Sequence, residues 1–198
     1  MLLLELFRGT GSVGKVATAF GLKVISVDIE EKHQPDIAVD ILELDYKQLP
    51  TPDFIWASPP CETFSVMVYR LHERNTKTAE PYSDRAKLGT KILYKTLEII
   101  KYFVKKNPNL AFVIENPRGM MRNDPEIKNC LILNTTYYCN YGDDRTKPTD
   151  FFSNYPLYLN ETKCKGSKKI TKIPLLERYK IPPKLIEHIL LEWQRQFL

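Results

Sequence analysis

Short apolar runs alternate with helix-like stretches through the first 115 residues of the chain. The runs have the length of buried strands, and they cover residues 2–7, 23–27, 37–39, 54–57 and 110–114. Between the last two, residues 90–105 carry apolar side chains at helical spacing. This alternation predicts an α/β domain in which a mostly parallel sheet has helices on both faces.

The remainder of the chain has a different pattern. Residues 135–141 and 151–152 flank a glycine-containing turn, which predicts a β-hairpin at the edge of the sheet. Pro182-Pro183 opens a final amphipathic helix. The expected organisation is a core (residues 1–153), a lysine-rich segment (residues 154–180) and a C-terminal helix that packs back on the core (residues 181–198).

A polar stretch of mixed charge, residues 66–89, has no sustained periodicity and predicts a long loop. Loops of this length inside a compact domain are usually functional. Because it directly follows a candidate nucleophile, Cys61, we expect it to close over the site as a lid.

The amino-acid composition limits the classes of protein to which this chain can belong. The 198 residues are 43% hydrophobic and 27% charged, as in soluble globular domains, and the net charge of +5 is compatible with a polyanionic partner. Four dispersed cysteines match neither a zinc site nor a disulfide framework, so reduced thiols and a cytoplasmic location are expected. Apolar runs too short for a signal peptide or a membrane span predict no association with membranes.

Chemically useful residues follow several of the predicted strands. Gly9, Gly11 and the residues after them form a turn of the kind that brings a cofactor against the amino terminus of a helix. Asp28 ends the second strand, where a carboxylate binds ribose hydroxyls. Asp40 ends the third. Each acid alone also suits a turn or helix cap, but their convergence favours a nucleoside-containing cofactor.

A cysteine and a glutamate end two further strands. Cys61 follows Pro59-Pro60, and because proline locks φ, the turn fixes the direction of the next side chain. An inert buried cysteine is the alternative for such a motif taken alone. Glu115 ends the fifth strand before a proline, and Arg145 and Lys147 point the same way if their segment is extended.

Taken in order, these motifs resemble the cytosine-5 DNA methyltransferases, in particular compact phage-type members. The likeness covers nearly the whole chain and rests on Phe7-x-Gly9-x-Gly11, Asp28, Asp40-Ile41, Ser58-Pro59-Pro60-Cys61-x-x-Phe64-Ser65, Glu115-Asn116 and Arg145-x-Lys147. It implies a class I, Rossmann-like fold dependent on S-adenosylmethionine, with the target-recognition domain nearly absent. It also implies methyl transfer to carbon 5 of cytosine in DNA, without a metal, in the cytoplasm or in a host's cytoplasm if the gene is a phage's.

The resemblance also implies roles for individual residues. Cys61 adds as a thiolate to carbon 6 of the base, Glu115 donates to ring nitrogen 3, and Arg145 holds the carbonyl oxygen and helps lower the pKa of the thiol. The implied cofactor-binding residues are Phe7, Gly9, Gly11, Ser12, Asp28, Ile29, Asp40, Ile41 and Ser58. The implied nucleic-acid contacts are Ser65, Lys147, Lys163, Lys165, Lys168 and Lys169.

The chain departs from the family pattern at two places that bear on function. Lys147 stands where the family has a second arginine, and a lysine cannot reproduce the arginine fork. The short recognition segment implies loose specificity, or specificity supplied by substrate shape, a partner protein or an oligomer. Three alternatives stay open: cytosine-5 methylation of RNA, methylation of an exocyclic amine, and a non-catalytic nucleic-acid-binding protein. The amine reaction is disfavoured because Cys61 stands where such enzymes place an aromatic residue.

Overall fold

The computed structural model describes residues 1–166 and 173–197. Lys168 and Lys169, two of the predicted nucleic-acid contacts, lie outside these residues. The strands within them are β1 (Leu2–Leu6), β2 (Lys23–Asp28), β3 (Ile37–Ala38), β4 (Phe54–Ala57), β5 (Ala111–Pro117), β6 (Ile132–Tyr137) and β7 (Pro148–Ser153). They form one sheet in the order β3-β2-β1-β4-β5-β7-β6.

The sheet is parallel except at one edge. β1 pairs in parallel with β2 and β4, β2 with β3, and β4 with β5. β7 lies antiparallel between β5 and β6. The prediction of a mostly parallel sheet with a hairpin at its edge is confirmed. The carboxyl ends of the first five strands therefore meet along one side of the sheet, where open α/β folds bind their ligands.

Helices cover both faces of the sheet. The described residues contain α1 (Ser12–Ala19), α2 (Asp84–Lys106), α3 (Pro125–Lys128), α4 (Leu175–Tyr179) and α5 (Pro183–Phe197). Leu4 and Ile55 pack with Phe103 of α2 on one face. Leu3 packs with α5 residue Trp193 on the other. Side chains alternate along a strand, so the wholly apolar strands are buried on both sides.

The helix α2 begins earlier than its apolar stripe predicts. Ser83 caps this helix by accepting a hydrogen bond from Ala86 N (3.1 Å). Residues 84–89, the end of the predicted loop, are therefore helical. Asp84, Arg85 and Lys87 face solvent in the first turn, which hides the apolar period. The rest of the loop contains a short 3-10 turn, Val66–Leu71. Its action as a lid stays a prediction.

The predicted hairpin also has different bounds. β6 starts at Ile132 and stops at Tyr137, and residues 138–141 turn into a 3-10 helix instead of continuing the strand. α4 lies in the segment that the lysine content predicts as a loop. No helix among the described residues is long and apolar enough to cross a membrane.

The expectation of reduced thiols is wrong for one pair. Cys139 and Cys164 form a disulfide with Cα atoms 6.0 Å apart. The chain returns after β7 so that Asn140 Nδ2 donates to the carbonyl oxygens of Asn160 and Thr162, both at 2.9 Å. This return brings the cysteines together, and a sequence separation of 25 residues carries no sign of it. Cys61 and Cys130 are free.

Candidate active site

A cavity of about 360 Å³ opens at the carboxyl ends of the parallel strands. Most of the residues predicted for the site line this one space. From the first three strand ends come Phe7, Gly9, Ser12, Asp28, Ile29, Asp40 and Ile41. From the remaining strands come Ser58, Cys61, Glu115 and Lys147. The cavity therefore has two neighbouring halves, called here the cofactor half (residues 5–41) and the target half (residues 58–61, 115 and 147).

The cofactor half is built around the turn that follows β1. Phe7 (φ 65°) and Gly9 (φ 51°) are both left-handed, a conformation that a phenylalanine rarely adopts. Asp28 holds the turn, because its Oδ2 accepts a hydrogen bond from Gly9 N (2.7 Å). Gly11 (φ 67°) shapes the turn at the start of α1 but is absent from the cavity wall. The exposed backbone of a tight turn thus lies against the cavity.

The wall beside this turn has the chemistry of a nucleoside site. Asp28 and Asp40 place carboxylates at the ends of neighbouring strands. Carboxylate oxygens have several lone pairs, so both residues can accept further hydrogen bonds from hydroxyl or amino groups. Ile29 and Ile41 add apolar surface in the same cavity. This combination of acceptors and apolar side chains fits the ribose hydroxyls, amino group and apolar ring of an adenosine.

Glu5 is a cavity residue that the sequence reasoning missed. Its side chain projects from the middle of β1, is 1% exposed, and has no hydrogen-bond partner for Oε2 within the described residues. Burial raises the pKa of Glu5 to about 7, although the Gly14 backbone and the Arg8 charge act in the opposite direction. A single acid inside an apolar strand was the available signal, because ionisable groups are rarely buried without a purpose.

The target half begins with the turn that carries Cys61. Ser58 N donates to Leu6 O (3.2 Å), and Asn116 Nδ2 donates to Pro59 O (3.1 Å). The turn is thus tied to β1 on one side and to β5 on the other. Cys61 follows it with a partly exposed side chain that faces the cavity. The prediction that the turn aims this thiol at the sheet edge agrees with the geometry.

The charge around Cys61 differs from the expectation. Burial raises the pKa of the thiol, and the nearby Glu115 carboxylate raises it further. The cation that lowers it is Lys147 and not Arg145. A thiol in this environment is protonated at neutral pH, so an activated thiolate requires a change in surroundings when substrate enters.

Glu115, Tyr138 and Lys147 form a buried cluster at the end of β5. The Tyr138 hydroxyl donates to Glu115 Oε1 (3.1 Å), and Lys147 Nζ lies 3.7 Å from the same oxygen. Lys147 also donates to the Tyr138 hydroxyl (3.4 Å). Burial, followed by the Glu115 charge, raises the pKa of Tyr138 well above its ordinary value, so the phenol stays a donor. Sequence reasoning missed Tyr138, which no motif distinguishes from the tyrosines around it.

The structure differs most from the prediction at Arg145, which does not line the cavity. Its Nε donates to Asp143 Oδ1 (2.7 Å), and its two terminal nitrogens donate to Asp143 and to three carbonyl oxygens. These belong to Glu177, Arg178 and Lys180. The partners use all five N–H donors of the guanidinium. Arg145 therefore has no donor left for a base in the cavity.

The chain after Cys61 is held by a close backbone contact. Met120 N donates to Phe64 O (2.7 Å), and Ser65 forms a β-bridge with Gly119. A Cβ at Gly119 would lie 2.1 Å from Phe64 O, so only glycine permits this approach. Ser65 is absent from the cavity wall.

Arg74 supports the same turn and is a third residue that the sequence reasoning missed. Its Nε and one terminal nitrogen donate to Thr63 Oγ1 (3.1 and 2.9 Å), and that nitrogen also donates to Ala86 O (2.5 Å). The guanidinium lies 3.7 Å from the centroid of the Phe64 ring. It thereby links the turn after Cys61 to the first turn of α2.

The remaining predicted nucleic-acid contacts lie away from the cavity. Lys163 and Lys165 are exposed and are absent from its wall. They precede Gly166, whose N–H donates to Thr146 Oγ1 (2.9 Å). This bond brings the described end of the lysine-rich segment next to the stretch that carries Arg145 and Lys147.

Comparison with known proteins finds a matching family and solved structures of similar fold. The family described as C-5 cytosine-specific DNA methylase matches residues 29–142. A probable DNA (cytosine-5)-methyltransferase of Frog virus 3 (isolate Goorha) is 36% identical over 122 residues, which are 59% of this chain and 54% of that protein. The chain thus spans about half the length of the curated relative it matches.

Two solved structures share the fold. The Dnmt2 methyltransferase of S. pombe has a TM-score of 0.51 at 13% identity, over 82% of this chain and 51% of that one. A DNMT2 mutant of Spodoptera frugiperda has a TM-score of 0.50 at 18% identity, over 85% of this chain and 55% of that one. These similarities confirm the predicted methyltransferase fold.

Proposed function

This chain belongs to the C-5 cytosine-specific DNA methylase family, and from that premise we propose that it transfers a methyl group from S-adenosylmethionine to carbon 5 of cytosine in DNA. One observation carries the proposal. A single cavity contains both a turn with two strand-end carboxylates, suited to a nucleoside, and a thiol beside an acid and a cation. The two halves adjoin, as methyl transfer between two bound molecules requires.

The cofactor half supplies the groups that would hold S-adenosylmethionine. Asp28 would accept from the ribose hydroxyls and Asp40 from the adenine amino group, while Ile29 and Ile41 would contact the ring. The backbone of the turn after β1 would hold the remainder of the molecule. When bound, the cofactor supplies an electrophilic methyl group on a sulfonium.

In the target half, Cys61 makes carbon 5 reactive. Carbon 5 of cytosine is a poor nucleophile, and a thiolate adding to carbon 6 turns it into an enamine-like carbon. The new bond joins Sγ to carbon 6. After methylation a base removes the proton from carbon 5, and the Sγ–carbon 6 bond breaks to restore the ring and release the thiolate. In a duplex the cytosine must leave the stack, because the thiol lies inside a cavity.

Glu115 and Lys147 stabilise the charge that addition creates. In its protonated form Glu115 donates to ring nitrogen 3, and Tyr138 and Lys147 contact its carboxyl group. We assign to Lys147 the contact with the carbonyl oxygen at position 2, in place of Arg145. Lys147 lines the cavity beside Cys61 and Glu115, and its present contacts are long, at 3.4 to 3.7 Å. Arg145 is absent from the cavity wall, and its donors are used in hydrogen bonds of 2.6 to 3.0 Å and in the pairing with Asp143. Fixed donors and charges in a water-poor site are the largest source of such stabilisation.

The test is a trapping experiment. The protein is incubated with S-adenosylmethionine and DNA containing 5-fluorocytosine, whose fluorine prevents loss of the group at carbon 5. We expect a covalent protein–DNA adduct that forms only with the cofactor and disappears in Cys61→Ala. Cys130→Ala is the matched control, since this second free thiol is exposed and is absent from the cavity wall.

The outcomes separate the candidate functions. An adduct in Cys61→Ala would contradict the assigned nucleophile. An adduct with a 5-fluorocytosine RNA but not with DNA would move the substrate to RNA. Methylation of an exocyclic amine without any adduct would favour the second enzyme class, and the absence of product and adduct with every nucleic acid would favour a binding protein.

A further inference from the structure

The segment that carries α4 contributes Tyr179 and Ile181 to the wall of the cavity that contains Cys61. Tyr179, the last residue of α4, lines the same cavity as Cys61 and is 46% exposed. Burial raises the pKa of Tyr179, and the neighbouring Cys61 and Glu62 raise it further. Its phenol ring is thus a partly exposed aromatic surface at the thiol, and it comes from the short segment that stands in place of a recognition domain.

Two cations hold α4 in this position. Arg145 donates to the carbonyl oxygens of Glu177 (2.6 Å), Arg178 (3.0 Å) and Lys180 (2.8 Å). Lys147 Nζ donates to the Arg178 carbonyl as well (3.4 Å). The last carbonyl groups of a helix have no partner within the helix, and cations at this end also complement its dipole. The contacts therefore cap α4 and fix where its last residue lies.

The direction of Arg145 is itself fixed. Asp143 accepts from its Nε (2.7 Å) and pairs with one terminal nitrogen, which orients the planar fork toward the helix end. On the other side of Tyr179, Ile181 N donates to Ser12 Oγ (3.4 Å), which ties the chain to the start of α1. The backbone is anchored both before and after Tyr179, so the fold fixes the position from which its ring projects.

We propose that Tyr179 is a base-contacting residue, whose ring stacks on the target cytosine while the base lies over Cys61, and that Arg145 is the positioning residue that holds Tyr179 there. The inference rests on the proposed function. Stacking on an aromatic side chain is the usual way in which proteins hold an unpaired base. A chain with about 27 residues between the catalytic core and the last helix has little other surface with which to grip a target.

The first test compares two substitutions at Tyr179 by the rate of adduct formation against DNA concentration. Tyr179→Ala should raise the KM for 5-fluorocytosine DNA between about five-fold and about a hundred-fold, the usual effect of removing one stacking ring. Tyr179→Phe keeps the ring and should stay close to wild type. The Kd for S-adenosylmethionine should not change in either variant, which also shows that the fold is intact. Tyr158→Ala removes another exposed tyrosine, outside the cavity wall, and is the matched control.

The second test asks whether Arg145 acts through Tyr179. Arg145→Lys keeps a charge beside Asp143 but loses the fork, so it should raise the KM for DNA as Tyr179→Ala does and leave cofactor binding unchanged. Combining the two substitutions should add little beyond the larger single effect, because both remove the same contact.

The results distinguish this inference from the proposed function. If wild type forms no adduct with any nucleic acid, the proposed function fails. If wild type reacts and Tyr179→Ala has the same KM for DNA, the stacking role is overturned. An equal loss in Tyr179→Phe would also overturn it, because the hydroxyl and not the ring would then be required. Fully additive effects of Arg145→Lys and Tyr179→Ala would overturn the positioning role.

Discussion

The two halves of the cavity are built in different ways. In the cofactor half, the key bond joins Gly9 N, in the turn after β1, to Asp28 Oδ2, 19 residues further along the chain at the end of the adjacent strand β2. In the target half, Asn116 Nδ2 reaches Pro59 O, in the turn that carries Cys61, across 57 residues. The cofactor half is thus assembled by neighbouring strand ends, and the target half by contacts between distant parts of the chain.

The two halves also differ in the partners of their charged side chains. Asp28 and Asp40 are carboxylates whose oxygens accept backbone N–H bonds. In the target half, the buried acid Glu115 is surrounded by side-chain partners, Lys147 and Tyr138, at distances of 3.1 to 3.7 Å. Removing one member of such a cluster leaves the others without a partner, which costs more than the loss of an exposed pair. Substitutions of the cavity-facing groups of the target half should impair catalysis, and substitution of Asp28 or Asp40 in the cofactor half should impair cofactor binding.

The largest effect is expected at Lys147. Lys147→Met removes the cation that faces both Glu115 and the thiol, and should lower kcat by about 100-fold or more, as loss of a preorganised donor does. The Kd for S-adenosylmethionine should stay the same. Single-turnover methylation and equilibrium binding measure the two quantities. Lys165→Met, at an exposed lysine outside the cavity, is the control. If Lys147→Met has the kcat of wild type, Lys147 is not the cation that contacts the carbonyl oxygen of the base, and Arg145 is again the candidate for that contact.

The next effect concerns Glu5 and pH. The pKa of Glu5 is raised from 4.5 to about 7 by burial, so its contribution to stability is present below pH 4.5 and is lost as pH rises toward 7. Glu5→Gln cannot ionise, so its free energy of unfolding relative to wild type should rise across this window, by roughly 3 kcal/mol in total.

Urea denaturation of both proteins at several pH values measures this difference, and Glu31→Gln, at an exposed acid, controls for the lost charge. A difference between Glu5→Gln and wild type that does not change with pH would show that Glu5 titrates normally in the fold.

A smaller effect is expected at Asp28. Asp28→Asn weakens acceptance from the ribose hydroxyls and from Gly9 N, and should raise the Kd for S-adenosylmethionine by about ten-fold. DNA binding in the absence of the cofactor should not change, because Asp28 belongs to the other half of the cavity. Calorimetry and fluorescence anisotropy give the two constants. Glu30→Gln, at the adjacent exposed acid, should leave both as in wild type. An equal loss of DNA affinity in Asp28→Asn would show that the halves are not independent.

The smallest effect is expected at the exposed lysines. Replacing Lys163 and Lys165 by alanine should leave kcat unchanged and lower the slope of log affinity against log salt by about 2, because each phosphate contact contributes about 0.9. Lys105→Ala, at an exposed lysine on α2, should leave the slope unchanged. If the slope of the double variant equals that of wild type, the lysine-rich segment is only solvated surface.

Site residues that follow a strand or a tight turn could be predicted from the sequence, whereas contacts between distant parts of the chain could not. Gly9, Asp28 and Asp40 were predictable because each directly follows an apolar run, and parallel strands bring their carboxyl ends together. Cys61 was predictable because two prolines fix its turn. The start of α2 was not predictable, because its first turn is polar and its only local sign is the capping residue Ser83. The pairing of Cys139 with Cys164 depends on a chain reversal that has no local pattern.

What the sequence determined by itself is the fold class and the chemistry at each strand end, because hydrophobic period and turn residues are properties of adjacent positions. The tertiary structure alone decided which of two alternate cations serves the cavity. Arg145 and Lys147 look equivalent along the chain, but the arginine fork is fully used by carbonyl groups at the end of α4, and the single ammonium of Lys147 is left beside Glu115. That choice depends on where a helix more than 25 residues away ends, and no local pattern encodes such a distance.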